Sequence, residues 1–343
     1  MLKDKPTAID LFCGCGGLTL GLKQAGFNVI GAVEIDSLAV ETYKANHPEV
    51  HVWQRDIQGL TIGWVKRKLQ LKKGELDLLA GCPPCQGFSS TRTLNGGYGV
   101  RDKRNKLIME YLRFVEGLMP KAIMMENVPG LRNYWRFKGF CRELKALGYQ
   151  VNHNVLNAAD YAVPQRRKRL ILLASKGRKI EFAKKARCGR TVFDAIGGLK
   201  KAGKSGDKLH DLPERRTEKV KKLIRMIPKD GGSRMELGKR QQLACHKKCD
   251  GFKDIYGRMA WDKVAPTITS GCTNPSKGRF LHPKKNRAIT LREAALLQTF
   301  PADYYFPSNE GKGNIALMIG NALPPEFVKR HAFKTAQYLR ERD

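Results

Sequence analysis

The sequence TAIDLFCGCGG at residues 7–17 joins a short apolar run to a turn rich in glycine. The run Thr7–Phe12 has the length and composition of a β-strand, and a helical pattern of apolar residues follows the turn. Gly14, Gly16 and Gly17 would let the backbone approach a ligand at the N-terminus of that helix. The stretch therefore predicts the first strand and helix of an α/β sheet, with a nucleotide-like cofactor at the turn.

Outward from this turn, residues 7–175 alternate short apolar runs with helical patterns, as a parallel α/β sheet requires. We expect strands at Thr7–Phe12, Val29–Glu34, His51–Trp53, Leu76–Ala80, Ala122–Glu126 and Arg169–Ala174, and a weaker one around Val155. We expect helices at Leu18–Gln24, Ser37–Asn46, Leu107–Leu118 and Phe137–Leu147. After an irregular stretch, the pattern predicts a strand at Thr267–Thr269, a helix from Thr290 to Leu297 that Thr290 could cap, and a final helix over about Pro325–Arg340.

Two acidic residues follow the second and third predicted strands. Glu34 ends the second strand, where a carboxylate can accept hydrogen bonds from both hydroxyls of a ribose, and Asp56 follows the third strand. The glycine spacing G-x-G-G departs from the G-x-G-x-x-G pattern of dinucleotide sites. An adenosine ligand without phosphates fits this turn better, and a purely structural glycine turn remains the alternative.

The fourth strand runs into a rigid Cys82-Pro83-Pro84-Cys85 segment, which brings a thiol to the carboxyl edge of the sheet. A nucleophilic thiolate at Cys85 is the leading interpretation. A redox pair or half of a zinc site is the alternative, but no second C-x-x-C exists to complete four ligands, and we predict no metal site.

An acid and a basic run are expected at the same edge. Glu126 ends the fifth strand, so its carboxyl group would face Cys85. Gln165, Arg167 and Arg169 alternate at the opening of the last strand, and we expect them to project to one side. Such cations can hold an anion or a polarised carbonyl.

The charge narrows the class of partner. The chain has 343 residues with 64 Lys and Arg against 32 Asp and Glu, a net charge of +32, and 41% hydrophobic residues. This composition is that of a globular protein, and no apolar run approaches the ~20 residues that span a bilayer. The segment Lys176–Lys263 alone carries 26 Lys and Arg against 11 Asp and Glu. Nucleic acid is therefore the expected partner, ahead of an anionic membrane surface.

The order of these motifs resembles that of the bacterial DNA (cytosine-5) methyltransferase family, from Thr7 to about Leu339. Six segments carry the resemblance: Asp10–Gly17, Pro84–Gln86, Glu126–Val128, Gln165–Arg169, Arg287–Pro301 and Gly320–Pro325. The resemblance implies a Rossmann-like methyltransferase sheet with a smaller, irregular and basic target recognition domain. It also implies transfer of a methyl group from S-adenosylmethionine to C5 of a flipped cytosine in a specific duplex DNA sequence.

The resemblance assigns roles to individual residues. Cys85 would add to C6 of the base, with Glu126, Arg167 and Arg169 as the other catalytic groups. Cofactor-binding roles are implied for Phe12, Gly14, Gly16, Gly17, Glu34, Ile35, Asp56, Ile57, Pro84, Leu107 and Asn321. No side chain stands out as the base that removes the C5 proton.

The resemblance also sets the expected organisation and context. We expect a catalytic domain at residues 1–183, completed by 315–343, a target recognition domain at 184–262, and a connecting region at 263–314. The partners would be double-stranded DNA and, in a restriction-modification system, a companion endonuclease. A monomer in the bacterial cytoplasm, associated with the nucleoid through DNA, is expected, with no membrane contact. The polar candidates for reading bases are Arg234, Gln241, Gln242 and Arg258.

Three rival functions remain at this point. An RNA cytosine-5 methyltransferase could use the same scaffold, although the basic insert favours duplex DNA. A nucleic-acid-binding protein without catalysis would explain the positive charge, but it would leave Cys85, Glu126 and Arg169 without a role. A nicotinamide dehydrogenase fits least, because the glycine spacing differs and Cys85 would lack a role.

Overall fold

The computed structural model describes residues 5–84, 107–238 and 253–342. The chain forms two compact units. The first comprises residues 1–161, 168–185 and 323–343, and the second comprises 162–167 and 186–322. The predicted functional boundaries stay predictions, but residues 315–322, expected with the catalytic domain, belong to the second unit by packing.

The first unit is built on one seven-stranded sheet with the order β3-β2-β1-β4-β5-β7-β6. The strands are β1 Thr7–Leu11, β2 Asn28–Glu34, β3 His51–Gln54, β4 Leu78–Gly81, β5 Ala122–Asn127, β6 Tyr149–Asn157 and β7 Lys168–Lys176. The helices of this unit are α1 Gly17–Gln24, α2 Ser37–Asn46, α3 Ile62–Leu69, α4 Leu107–Leu118, α5 Trp135–Ala146 and, at the C-terminus, α11 Pro325–Arg342. The predicted α/β class is confirmed.

The expectation of an all-parallel sheet is wrong at one edge. Strands β1 to β5 are parallel, whereas β7 is antiparallel to both β5 and β6. A parallel partner would need a crossover of a dozen or more residues, and the short connection from Asn157 to Lys168 contains only a 3-10 turn at Ala158–Tyr161. The reversal brings the first residues of β7 to the carboxyl ends of the parallel strands.

Helix α3 was not predicted. Thr61 caps it, since its hydroxyl accepts a hydrogen bond from the Trp64 amide at 3.3 Å. Only Val65 is buried in this helix, so its apolar pattern is short. The capping threonine was the available signal.

The second unit has short helices and no regular sheet among its described residues. Its helices are α6 Val192–Ile196, α7 Lys208–Asp211, α8 Glu218–Met226, α9 Leu291–Leu297 and α10 Lys312–Asn321. The predicted cap of α9 is confirmed, because Thr290 and Glu293 form a capping box. The strand predicted at Thr267–Thr269 is wrong: the Ile268 amide donates to the Gln165 side chain at 2.8 Å instead of to a neighbouring strand.

Candidate functional site

The turn after β1 has the backbone geometry that its glycines suggest. Phe12, Gly14 and Gly16 have positive φ values of 62°, 53° and 93°. The Cys13 amide donates to the Val33 carbonyl at 3.1 Å, which joins the turn to the end of β2. Gly16 is the N-cap of α1, and no side chain caps the first turn of this helix.

Glu34 organises the turn and the end of β2 together. Its Oε2 accepts a hydrogen bond from the Gly14 amide at 2.9 Å, and its Oε1 accepts from the amides of Ile35 and Asp36 at 2.8 and 3.0 Å. Three backbone donors therefore fix the carboxylate, and Oε2 keeps a lone pair for one further donor. Ile35 beside it is an apolar side chain left 64% exposed, as an adenine contact would require.

Two further cofactor candidates follow β3. Asp56 is exposed, and its Oδ1 accepts from the Gln58 amide at 2.9 Å, which caps the 3-10 turn Ile57–Gly59. Ile57 is 3% exposed, and its carbonyl accepts a hydrogen bond from Arg113 of α4 at 2.7 Å. The side chain of Ile57 therefore belongs mainly to the core, and its role against an adenine stays a prediction.

Asp10, which no sequence motif singled out as a site residue, lies under the turn. It is fully buried, and the Thr19 hydroxyl donates to its Oδ2 at 2.7 Å, while its Oδ1 has no hydrogen-bond partner among the described residues. Burial, with a smaller contribution from the Glu34 charge, raises the pKa of Asp10 from 3.8 to about 8. An acidic residue inside an apolar strand was the signal that could have found it.

The neutral Asp10 carboxyl makes stability depend on pH. Asp10 ionises near pH 3.8 in the unfolded chain and near pH 8 in the folded chain. Its contribution to the free energy of unfolding is therefore complete below about pH 4 and is lost as the pH rises to about 8. Asp10→Asn cannot titrate, and we expect its unfolding free energy relative to the wild type to rise by about 1.4 kcal/mol per pH unit within this window. Urea unfolding at several pH values measures the difference, and a constant difference would contradict the assignment.

The ends of β4 and β5 hold the catalytic candidates of the described chain. The Glu126 carboxylate pairs with the Arg169 guanidinium, with Oε1 and Nε 2.8 Å apart and side chains 12% and 15% exposed. Arg169 directly precedes Leu170, the residue of β7 paired with Asn127 of β5. This pairing of β7 with β5 brings the Arg169 side chain to the Glu126 carboxylate.

Asn127 ties this pair to the proline segment. Its Nδ2 donates to the Pro83 carbonyl at 2.8 Å, which fixes the chain two residues before Cys85. Burial and the neighbouring Glu126 carboxylate, which accepts a hydrogen bond from the thiol, raise the pKa of Cys82 well above its usual range. Cys82 therefore stays a neutral thiol, which argues against it as a nucleophile.

The remaining candidates around this segment are less informative. Pro84 is exposed, and Leu107 is partly buried at the first residue of α4. Cys85 and the loop Ser89–Asn105 lie outside the described residues. Asn321, the last residue of α10, is exposed and belongs to the second unit, so its cofactor role stays a prediction.

Gln165 and Arg167 do not share a face with Arg169, because β7 begins only at Lys168. Arg167 is 2% exposed and donates to the carbonyls of Ile268 and Gly320, both at 2.9 Å. Gln165 is fully buried and donates to the Gln298 side chain at 2.7 Å. These contacts favour a structural role for Arg167 within the second unit over the predicted catalytic one.

Two arginines considered as base-reading candidates are also interior. Arg258 is fully buried and donates to five oxygens, those of Ile224, Ile227, His282, Lys285 and Asn286. Arg234 is 2% exposed. Their burial argues against a DNA-facing role for either arginine, while Gln241 and Gln242 lie outside the described residues.

Comparisons with known proteins give matches over nearly the whole chain. Residues 7–336 match a family model described as C-5 cytosine-specific DNA methylase. A type II methylase, M.HgiDII of Herpetosiphon aurantiacus, is 37% identical over 92% of this chain and 91% of its own length. The type II methyltransferase M1.HphI of Haemophilus parahaemolyticus is 34% identical over 93% of this chain and 83% of its own.

Solved structures share the fold. A DNA modification methyltransferase encoded within a prophage (E. coli) superposes with a TM-score of 0.70 at 26% identity, covering 98% of this chain and 99% of that one. The S. pombe Dnmt2 methyltransferase superposes with a TM-score of 0.62 at 20% identity, covering 98% and 99%. No helix in the described ranges is long and apolar enough to cross a membrane.

Proposed function

The chain belongs to the C-5 cytosine-specific DNA methylase family and is a DNA cytosine-5 methyltransferase, and from this premise we propose that it methylates a flipped cytosine within a specific duplex sequence, using S-adenosylmethionine and a covalent bond from Cys85. The observation that carries the proposal is the Glu126–Arg169 pair at the carboxyl edge of the sheet, tied through Asn127 to the segment before Cys85.

The turn of β1 fits the adenosine and methionine parts of S-adenosylmethionine. A Cβ placed on Gly14 would meet nothing within 4 Å, so the turn borders open space. Glu34 Oε2 is oriented by the Gly14 amide and can accept a ribose hydroxyl, while the exposed Ile35 offers an apolar surface to the adenine. The bound cofactor supplies an electrophilic sulfonium methyl group.

Glu34 should control cofactor affinity. S-adenosylmethionine is expected to raise the melting temperature of the wild type, whereas nicotinamide dinucleotides should not. Glu34→Ala removes a charged hydrogen-bond acceptor, so we expect the dissociation constant for S-adenosylmethionine to rise about tenfold to hundredfold. Titration calorimetry measures it, with Glu41→Ala, an exposed carboxylate on α2, as the control. An unchanged constant in Glu34→Ala would remove Glu34 from the ribose role.

The described residues suit activation of the cytosine ring, whose C5 is a poor nucleophile. Addition of the Cys85 thiolate would form a bond to C6 and push the ring electrons toward N3 and O2. The protonated form of Glu126 can donate its proton to N3, and Arg169 both orients Glu126 and offers donors to the developing charge. C5 would then take the methyl group that the cofactor supplies while N3 returns its proton to Glu126, and loss of the C5 proton expels the thiolate.

Access to this edge requires the base to leave the duplex, because a stacked cytosine cannot reach a thiol in a cleft. Residues Ser89–Asn105 contain several glycines and basic residues, and from this sequence we propose that they form a cover for the flipped base.

The segment 184–262 is the proposed target recognition domain. Its basic excess suits phosphate contacts, which position a duplex without reading it. Transplanting the corresponding segment from a relative of different specificity, with junctions outside Gln165–Arg169 and Gly320–Pro325, should transfer the donor's methylation site. If an active chimera still methylated the original DNA sequence, sequence recognition would have to lie in the segment before Asn105.

Bisulfite sequencing of DNA from cells that express the enzyme tests the reaction and its target together. We expect methylated cytosines at one sequence, and none with a Cys85→Ala variant. Methylation confined to RNA would favour the RNA rival. Because the named relatives are type II enzymes of bacteria, we also propose a companion endonuclease and action in the bacterial cytoplasm. Action as a monomer stays an expectation from the family resemblance.

A further inference from the structure

Helix α5 begins with a tryptophan that faces solvent. Trp135 is 61% exposed, and the Arg136 guanidinium lies over its ring at 4.4 Å from the centroid. Exposing so large an aromatic surface is costly unless something covers it, and Trp and Arg are the residues most often found at binding hot spots. Among the described aromatic residues of the core, its ring meets only Tyr134, with ring centroids 5.7 Å apart, while Phe137, Phe140 and Leu144 form the buried face of α5.

The solvent face of α5 continues from this tryptophan. Lys138 and Arg142 lie three and seven positions further on, so they share its face, and both are exposed. Between them Gly139 leaves the helix backbone bare, since a Cβ there would meet nothing within 4 Å. A glycine in a helix interior costs about 0.5–1 kcal/mol relative to alanine, and packing gives no reason for it here. The face is therefore flat, cationic and open to close approach.

Cations outnumber carboxylates around this face. Residues 127–143 contain Arg132, Arg136, Lys138 and Arg142 against one carboxylate, Glu143. Within the ranges that the structure describes, no carboxylate forms an ion pair with any of these four cations. An aromatic ring among unpaired cations matches a nucleic acid, whose backbone alternates anionic phosphates with apolar sugar faces.

The position of α5 points to the nucleic acid of the reaction. The chain leaves β5 at Glu126 and Asn127, makes the 3-10 turn Pro129–Asn133, and enters α5 at Trp135. The helix therefore starts at the edge of the sheet that carries the catalytic carboxylate. A duplex that delivers a cytosine to Glu126 must extend past this edge.

We propose that the α5 face, defined as Arg132, Trp135, Arg136, Lys138 and Arg142, binds the sugar-phosphate backbone of the duplex beside the target cytosine. The proposal rests on the proposed function. Trp135 contacts a deoxyribose with the part of its ring that Arg136 and Tyr134 leave exposed, and the surrounding cations contact phosphates.

The test uses the full-length protein and a fluorescent DNA duplex in the absence of methyl transfer. We expect Trp135→Ala to weaken duplex binding about fivefold to tenfold, and Trp135→Phe to stay within about twofold of the wild type. Trp64→Ala is the matched control, because Trp64 is also exposed and also stacked on an arginine, Arg55, at 4.4 Å, but lies in α3 beside the edge strand β3. Its duplex binding should not change.

A second variant tests the cations without touching the aromatic ring. The combined substitution Arg132→Gln, Lys138→Gln and Arg142→Gln should reduce the slope of log K against log salt by about one for each phosphate that the protein no longer neutralises. The control replaces Lys66, Arg67 and Lys68 of α3 with glutamine. Its slope of log K against log salt should stay steeper than that of the α5 triple variant. If Trp135→Ala fails to fold, the salt dependence of the α5 triple variant still tests whether this face binds the duplex.

The outcomes separate the two hypotheses. Unchanged duplex binding in both α5 variants, or an equal loss in the α3 controls, would overturn the α5 face as a binding surface. A wild type that binds duplex through this face yet methylates no cytosine would overturn the proposed function, because the binding assay does not depend on methyl transfer.

Discussion

Replacement of Cys85 with alanine is expected to reduce methyl transfer by at least roughly 10⁴-fold, the largest effect of any single change in this chain. Without a thiolate, C6 of the cytosine receives no nucleophile and C5 gains no electron density. Binding of the cofactor should remain, because Glu34 and the turn after β1 make their contacts independently of this side chain.

Covalent trapping measures the same step directly. A duplex with 5-fluorocytosine at the target has no C5 proton to lose, so the wild type should remain bonded to it and survive denaturing electrophoresis. Cys85→Ala should form no such adduct. Cys82→Ala should still form it, since burial and Glu126 keep the Cys82 thiol protonated. An adduct that disappears in Cys82→Ala and persists in Cys85→Ala would reverse the assignment of the nucleophile.

Substitution of Glu126 by glutamine should slow methyl transfer by about 10²–10⁴-fold. The amide keeps the shape of the carboxyl group and can donate a hydrogen bond, but it cannot deliver a proton to N3. It also breaks the charge pair with Arg169, whose Nε lies 2.8 Å from Glu126 Oε1, so the arginine loses its partner at the sheet edge.

Single-turnover kinetics with saturating duplex and cofactor isolate this chemical step. Cofactor and duplex dissociation constants should stay near those of the wild type, which separates a chemical defect from a binding defect. Glu143→Gln, which changes an exposed carboxylate of α5, is the control and should leave the rate unchanged. A single-turnover rate for Glu126→Gln within about twofold of the wild type would remove Glu126 from proton transfer.

Much of the fold could be predicted because strands and helices obey local rules. The apolar run before Phe12 and the glycines after it predicted β1 and α1, and Thr290 predicted the start of α9. The direction of β7 could not be predicted, because strand pairing depends on partners distant in the chain. The isolated Thr267–Thr269 pattern failed for the same reason, since its amide found a side chain instead of a strand.

The candidate site divides in the same way. Glu34 and Glu126 could be selected because each ends a predicted strand, and the carboxyl ends of parallel strands meet at one edge. Asp10 was missed, because its effect arises from burial that no local pattern shows.

By itself the sequence determined the strands of the sheet and most helices of the first unit, the glycine turn and the acids that end the strands. These features depend on backbone preferences and side-chain periods that act over a few residues. Only the tertiary structure decided what each arginine does. Arg169 meets Glu126 through an antiparallel pairing, whereas Arg167, two residues earlier, bonds to the Ile268 carbonyl 101 positions away. A guanidinium carries the same charge and donors at every position, so its role follows from the oxygens that folding brings to it.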